Sequence, residues 1–304
     1  MFRKYFSTVI TILFAYFIFD YFLENKDKLE SIKNINLNIL SIALFFSPFV
    51  YFIRAILNRY LFKIVDIDLM NREAVEVVMK TTLGNLLGPF NFGSIYKIQY
   101  FKQKYSLNYA KYLALNTTYS LFTLLFFLVT LLLLPIFKVN NFNSIDFTGI
   151  IAIILISILT LFIFNFFKIL SFFSKFIKFE NILNDLTEGV RAFRDDYSST
   201  LKIGFVFVLN IMYLLIYNYL VVYSIVPDIT LFRLVIFICG INVIGVVKLT
   251  PGNFGVQELF LFSLYGLHEI SIENIIFISF VLRSLSIVNL IIYFIYGWFK
   301  KLVF

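Results

Sequence analysis

The sequence is poor in the residues from which soluble enzymes build catalytic and metal sites. It has one cysteine, Cys239, and one histidine, His268, so neither an internal disulfide nor a histidine-based metal cluster can form. Charged residues make up 14% of the chain, and no stretch is long enough to be a soluble catalytic domain. The nucleotide-binding pattern Gly-x-x-x-x-Gly-Lys-Ser/Thr does not occur. We therefore expect no cofactor and no metal, and we do not expect an enzyme.

Apolar sequence is what the chain has in excess. Hydrophobic residues make up 61% of it, far above the range of soluble domains. Several runs are long enough to cross about 30 Å of hydrocarbon as helices. They lie at about 6–24, 37–57, 110–137, 148–170, 201–225 and 274–298. The sequence therefore predicts an all-α polytopic membrane protein with about six full spans, forming a single transmembrane domain over residues 1–304.

A short motif, Pro-x-Asn-Phe-Gly, occurs twice, at 89–93 and at 251–255. Each copy interrupts a hydrophobic segment, the first at 70–107 and the second at 229–270. Three full spans separate these segments, and because three is odd, we expect two inverted halves, at about 37–137 and 201–298. Paired Gly/Pro breaks in the two halves of a membrane protein point to a substrate site near the midplane. The sequence thus predicts two broken, re-entrant segments in an inverted repeat.

The residue types of the motif explain what a break offers to a ligand. Pro89 and Pro251 cannot continue a helix, and glycine adopts backbone angles that other residues resist. The freed backbone groups must be buried in protein or face water, and Asn91 or Asn253 can satisfy some of them. A helix that restarts near Gly93 or Gly255 would direct its N-terminal dipole inward, which suits a phosphate. The alternative is a pair of packing kinks without a ligand.

Positive charge indicates the orientation of the chain. One set of predicted loops collects most of the Lys and Arg residues, whereas the other has only Lys26, Lys28, Lys33, Lys138 and Arg233. Because cytoplasmic loops are the basic ones, we expect both termini in the cytoplasm, and the net charge of +8 does not argue for nucleic acid. Residues 174–199 are predicted to form an amphipathic helix on the cytoplasmic membrane surface, or else a solvated connector helix.

Ionisable residues inside apolar segments are expensive and are by default functional candidates. Glu258 and Arg283 are the strongest: they either pair with each other, or Arg283 binds a phosphate while Glu258 binds a cationic or hydroxylated headgroup. Lys248 either adds positive charge or reaches to the interface. Asn242 is the intramembrane amide best suited to line a cavity. The acidic cluster of Asp66, Asp68, Glu73 and Glu76 is interpreted as a solvated helix start.

At these residues the sequence resembles the family of lysylphosphatidylglycerol synthase transmembrane regions, also called flippase-like domains. The resemblance is strongest at Pro251 to Glu258 followed by Arg283, which is similar to the family's Pro-Gly-x-x-Gly-x-x-Glu signature and later Arg. In the first half the family tends to have Gly-Glu and then Arg, where this chain has Gly93-Ser94 and Lys97. A charged pair of the following span is replaced by Asn116, Thr117, Thr118 and Tyr119. The chain lacks the soluble aminoacyl-transfer domain of bifunctional members.

The resemblance implies a protein that moves a lipid between leaflets of the cell membrane. The lipid would be an anionic phospholipid or a polyprenyl-phosphate-linked lipid, and transport would be energy-independent or ion-coupled. A glycosyltransferase or lipid synthase would be a possible partner, and the oligomeric state is left open. The alternatives are a membrane-embedded enzyme and an accessory subunit of cell-envelope assembly. The candidate substrate-binding residues are Pro89, Asn91, Gly93, Lys97, Asn242, Lys248, Pro251, Asn253, Gly255, Glu258 and Arg283.

Overall fold

A computed structural model describes residues 35–88, 91–133, 197–246, 250–265 and 269–303. Every regular element within these ranges is a helix. The helices are α1 (Leu37–Phe46), α2 (Phe49–Lys63), α3 (Asn71–Leu87), α4 (Phe92–Tyr105), α5 (Tyr109–Leu133), α6 (Tyr197–Ile225), α7 (Leu231–Val246), α8 (Val256–Ser263) and α9 (Ile272–Val303), with a short 3-10 turn at Pro251–Asn253. The prediction of an all-α polytopic membrane protein is confirmed.

Four helical stretches in the described part of the chain are long and apolar enough to cross a membrane. They are Leu37–Lys63, Lys111–Leu131, Thr200–Ile225 and Ile272–Trp298, with 21 to 27 residues each. These four coincide with spans predicted from the sequence. The other two predicted spans, 6–24 and 148–170, and the connector at 174–199 lie outside the described residues. The total of six therefore stays a prediction.

Large apolar side chains on the outer surface fit a hydrocarbon environment. On α9, Ile287, Ile291 and Ile295 follow one another at helical spacing, and each is 42% to 51% exposed. An exposed apolar stripe of this length is expected to lie against lipid or another protein, because monomeric soluble proteins rarely expose so large an apolar surface.

Local sequence explains how α1 and α2 share one span. The side chain of Asn36 caps α1 by accepting a hydrogen bond from the backbone of Ile39. Pro48 separates the two helices, since proline cannot donate to the helical ladder. Ser47 stands at this junction, and the side chain of Asn289 donates to its hydroxyl over 2.7 Å. Both polar groups are buried, so the hydrogen bond satisfies them inside the apolar core.

The chain divides into two compact units. The first takes in the described residues of Met1–Phe52, Val78–Ser94 and Tyr213–Phe304. Its core is a cluster of buried aliphatic and aromatic side chains from α1, α6, α7, α8 and α9. Leu234, Leu261 and Ile275 are completely enclosed in this cluster. The second break therefore lies in the unit that contains this core.

The second unit takes in the described residues of Ile53–Val77 and Ile95–Met212. Aromatic rings form much of its interior. Phe62 of α2 stacks on Phe101 of α4 with ring centroids 3.8 Å apart, and Tyr112 of α5 lies 6.1 Å from Phe62. Phe126 of α5 meets Phe207 of α6 edge to face at 5.4 Å. Such aromatic pairs contribute roughly 0.5–1.5 kcal/mol beyond the area that they bury.

Candidate functional site: two helix breaks

The second break is a tight turn between α7 and α8 in left-handed backbone conformation. Gly252 and Asn253 both have φ of 58°, and Gly255 has φ of 82°. Glycine and asparagine are the residues that tolerate these angles, which explains their places in the motif. The Asn253 side chain donates to the carbonyl of Ile244 over 2.9 Å, so it satisfies a carbonyl at the end of α7.

Arg283 of α9 holds this turn through all three nitrogens of its guanidinium group. Nη1 lies 2.5 Å from Oε1 of Glu258, Nε donates to the carbonyl of Gly252 at 3.2 Å, and Nη2 donates to the carbonyl of Asn253 at 3.4 Å. The guanidinium also lies 4.7 Å from the ring centroid of Phe254. The turn released from the helical ladder is thus fixed by one side chain from a spanning helix.

Glu258 is the second fixed point of this turn. Its side chain is 7% exposed, and its Oε2 accepts a hydrogen bond from the backbone nitrogen of Gly255 over 2.7 Å. A carboxylate at this position caps the start of α8 and complements the helix dipole. The sequence predicted that this helix N-terminus would suit a phosphate. In the structure the position is taken by the protein's own carboxylate, and Arg283 is the cationic group that remains at the turn.

The first break is closed by backbone contact between α3 and α4. A Cβ placed on Gly93 would lie 1.9 Å from the carbonyl oxygen of Thr81, and one on Gly84 would lie 2.7 Å from the Cα of Gly93. The Gly93 nitrogen donates to Oδ1 of Asn85 over 2.9 Å. Asn91 has φ of 62°, and its backbone carbonyl accepts from the nitrogen of Ser94 over 2.7 Å. Asn85, which precedes the motif, therefore satisfies the Gly93 nitrogen.

The two breaks lie close together. A Cβ on Gly252 would lie 3.4 Å from Cδ1 and 3.7 Å from the carbonyl oxygen of Leu86, one residue before the end of α3. These are ordinary van der Waals distances. The first unit thus brings the turn of the second half against the helix end of the first half.

Comparison with known proteins identifies the family. A family model described as "Lysylphosphatidylglycerol synthase TM region" matches residues 6–293. The chain belongs to this family. No curated protein and no solved structure matches the chain. The resemblance found at the second-half motif and at Arg283 is therefore confirmed over nearly the whole sequence.

The other predicted site residues of this lysylphosphatidylglycerol synthase TM region are distributed more widely. Lys97 is buried in the second unit, where its Nζ lies 2.6 Å from Oδ1 of Asn58 and 5.1 Å from the ring centroid of Phe62. The Asn242 side chain donates to the carbonyl of Ile238 in its own helix over 2.8 Å. Pro89 and Lys248 lie outside the described residues. The contacts around Arg283 involve Gly252, Asn253, Phe254 and Glu258.

The interpretation of the acidic cluster as a solvated helix start is wrong for Glu73. It is 9% exposed, and its Oε1 accepts from Tyr100 at 2.7 Å and from Tyr105 at 2.6 Å. Lys104 completes the cluster with Nζ 2.9 Å from the same oxygen. The start of α3 is therefore joined to the end of α4. Asp68, in contrast, conforms to the prediction, because it is exposed and lies 3.8 Å from Arg59.

The electrostatics of this Glu73 cluster follow from its contacts. Burial would raise the pKa of the Glu73 carboxyl, but hydrogen bonds from Tyr105, Tyr100 and Lys104 outweigh it, so the pKa lies below its ordinary value. Burial first, and then the hydrogen bond to Glu73, raises the pKa of Tyr100 to about 12. The hydrogen bond to Glu73 also raises the pKa of Lys104. The cluster is therefore an ion pair with neutral phenols over a wide pH range.

Two further residues of the breaks, Phe254 and Thr250, were missed by sequence reasoning, and a third, Asn85, makes a contact that it did not assign. Phe254 stacks on Arg283, the Thr250 hydroxyl donates to the carbonyl of Phe254 over 2.8 Å, and Asn85 binds the Gly93 nitrogen. Phe254 is part of the repeated motif but was hidden by the abundance of phenylalanine, 41 residues in this chain. Asn85 carried a usable signal, because an amide one turn before a Gly/Pro break is well placed to satisfy a freed backbone group.

Proposed function

We propose that this membrane protein is a lipid carrier that moves a phospholipid or a polyprenyl-phosphate-linked lipid between leaflets, and that it is not an enzyme. Membership of the lysylphosphatidylglycerol synthase TM family supports a lipid-related function for the chain. The observation that carries the finer proposal is the Arg283–Glu258 pair, which fixes a helix break next to the break of the other half. Paired breaks of this kind are typical of substrate sites in carriers.

Arg283 is the proposed phosphate ligand. A guanidinium has five N–H donors, and within the described residues three of them are used, toward Gly252, Asn253 and Glu258. One N–H on each of Nη1 and Nη2 remains for a phosphate, and arginine binds phosphate well because its planar guanidinium can use two donors at once. Because Glu258 and Phe254 already hold the guanidinium in place, little side-chain entropy would be lost when a phosphate binds.

Contacts at the ends of both broken segments support the proposed re-entrant arrangement. In the first segment Glu73, near the beginning, binds Lys104, near the end. In the second segment Arg233, near the beginning, pairs with Glu269, near the end. A segment whose two ends meet enters and leaves at one side. With three predicted spans between them, the two pairs would lie at opposite membrane faces, and both termini would lie in the cytoplasm of a cell-membrane protein.

The test is lipid movement in reconstituted vesicles. Wild type should move fluorescently labelled phosphatidylglycerol between leaflets faster than protein-free vesicles, as measured by quenching of the outer-leaflet label. Arg283→Lys and Glu258→Gln should slow this movement while leaving insertion intact. Arg233→Ala is the matched control, because it removes an arginine from an exposed ion pair, which contributes little stability. A polyprenyl-phosphate lipid is tested in a parallel arm.

The outcome separates the proposed carrier from a scaffold. If neither lipid moves with wild type, or if movement is unchanged by both variants, the carrier proposal is wrong. Tolerance of both variants in cells would then favour an accessory subunit that works beside a glycosyltransferase or lipid synthase.

A further inference from the structure

Each copy of the Pro-x-Asn-Phe-Gly motif leaves one buried hydrogen-bond acceptor without a partner in the described residues. These atoms are Oδ1 of Asn91 and Oδ1 of Asn253. Both asparagines have left-handed backbone angles, with φ of 62° and 58°. The same atom is therefore unsatisfied at equivalent places of the two halves, and both places belong to the first unit.

The orientation of the Asn253 amide is fixed by its other end. Its nitrogen donates to the carbonyl of Ile244 over 2.9 Å, so exchanging the amide nitrogen and oxygen would set two acceptors against each other. The oxygen that remains is on a residue only 7% exposed. A third unpaired group, the hydroxyl oxygen of Thr81, belongs to the residue whose carbonyl faces Gly93.

Unpaired buried acceptors indicate a missing donor. Leaving such a group unsatisfied costs about 1–3 kcal/mol, so native proteins retain few of them without a reason. An amide oxygen accepts hydrogen bonds and cannot donate them. The ligand group that matches Asn91 and Asn253 must therefore carry O–H or N–H donors.

Charge at the two breaks distinguishes hydroxyl from ammonium donors. Among the described residues of 81–94 and 250–258, Glu258 is the only charged one, and its carboxylate is matched by Arg283. In these ranges no carboxylate therefore remains to pair with an ammonium group beside Arg283, whereas a hydroxyl would satisfy the amide oxygens without needing a counter-charge.

We propose that the two motif asparagines form a hydroxyl-binding subsite, which selects lipid headgroups bearing a glycerol or sugar hydroxyl together with a phosphate. This inference rests on the proposed lipid-carrier function and deepens it. The Asn91 and Asn253 oxygens accept from the headgroup hydroxyls, and the two remaining N–H groups of Arg283 bind the phosphate. Headgroups that end in ammonium, or that have a phosphate alone, bind more weakly.

Competitive lipid binding to the full chain tests this subsite. The protein in detergent is incubated with equal amounts of dioleoyl-phosphatidylglycerol, dioleoyl-phosphatidylethanolamine and dioleoyl-phosphatidic acid, and bound lipid is counted by native mass spectrometry. Wild type should retain phosphatidylglycerol over the other two by roughly three- to tenfold, which corresponds to one hydrogen bond. Asn91→Gly and Asn253→Gly keep the left-handed backbone and should abolish this preference.

Two further variants sharpen the result. Asn91→Asp keeps the hydrogen-bond acceptor and adds a negative charge. The lipid preference of this variant should therefore move toward phosphatidylethanolamine. Asn289→Ala is the control: this asparagine is also buried, but its nitrogen donates to Ser47, away from the breaks. Its lipid preference should equal that of wild type.

Equal retention of the three lipids by wild type would overturn the subsite, as would a preference unchanged in both glycine variants. A wild-type preference for the ammonium lipid would also overturn it. The result is independent of transport: selective binding without lipid movement in vesicles would leave the subsite standing while the carrier function fails.

Discussion

Arg283 of α9 and Glu258 of α8 stand 25 residues apart in the sequence, and their side chains meet with Nη1 2.5 Å from Oε1. Both side chains are largely buried, at 15% and 7% exposure. The same two residues bind the backbone of the Pro251–Asn253 turn and of Gly255. A substitution at either one is therefore expected to affect both the ion pair and the turn.

The first prediction concerns the stability of this pair. Arg283→Ala leaves a buried carboxylate and frees the carbonyls of Gly252 and Asn253, so it should destabilise the protein by about 3–5 kcal/mol. Arg283→Lys should be intermediate, because lysine keeps the charge but not the fork. The measurement is thermal unfolding in detergent. The double variant Arg283→Met with Glu258→Gln should lose less stability than the sum of the losses in the two single variants. Strictly additive losses of stability would show that Arg283 and Glu258 are not coupled.

The second prediction concerns close packing at the first break. Gly93→Ala and Gly84→Ala should be strongly destabilising, because the added Cβ would lie 1.9 Å from the Thr81 oxygen or 2.7 Å from the Gly93 Cα. The loss should be at least about 1–3 kcal/mol, as for overpacked cores. Gly245→Ala is the control, since nothing lies within 4 Å of its added Cβ. The measurement is the yield of folded protein in detergent. A normal yield of the Gly93→Ala variant would contradict the close contact between α3 and α4.

The third prediction is a pH dependence that originates at Glu73. Its native pKa lies below the ordinary value of 4.5, so its contribution to stability is complete above that pH and is lost as the pH falls through the native pKa. Glu73→Gln should therefore be less stable than wild type at neutral pH by about 2 kcal/mol, as expected for hydrogen bonds to a charged group. The difference should shrink toward acid pH. The measurement is a series of melting curves of wild type and Glu73→Gln across the acid pH range. If the difference in stability between the two proteins were the same at every pH, this role of Glu73 would be excluded.

The fourth prediction is topological. On a Cys239→Ala background, Arg233→Cys should react with a membrane-impermeant maleimide only from outside the cell, and Lys102→Cys only from inside. Both positions are partly or fully exposed, whereas Cys239 itself is buried. Labelling of both positions from the same face would contradict the inverted arrangement of the two broken segments.

The sequence predicted the helical membrane class and four of the spans, because long apolar runs have few other physical solutions. It also predicted breaks at Gly93 and Gly255, since proline and glycine act locally on the backbone. It did not predict the burial of Glu73, which depends on Tyr100 and Tyr105 across the hairpin, nor the stacking of Phe254 on Arg283. Contacts between distant residues leave no periodic signal, so they had to be seen in the structure.

The proximity of Gly252 and Leu86 would allow the two breaks to influence each other. A Cβ added to Gly252 in the turn of one half would reach van der Waals distance of Leu86 at the helix end of the other, so the two breaks are close neighbours. Suppose that the two breaks rearrange together. A phosphate that binds Arg283 in one arrangement then changes the affinity of Asn91 for a hydroxyl by some factor. Reciprocity then requires that occupancy at Asn91 change the affinity at Arg283 by the same factor. Phosphate and hydroxyl recognition on one headgroup would in that case be cooperative.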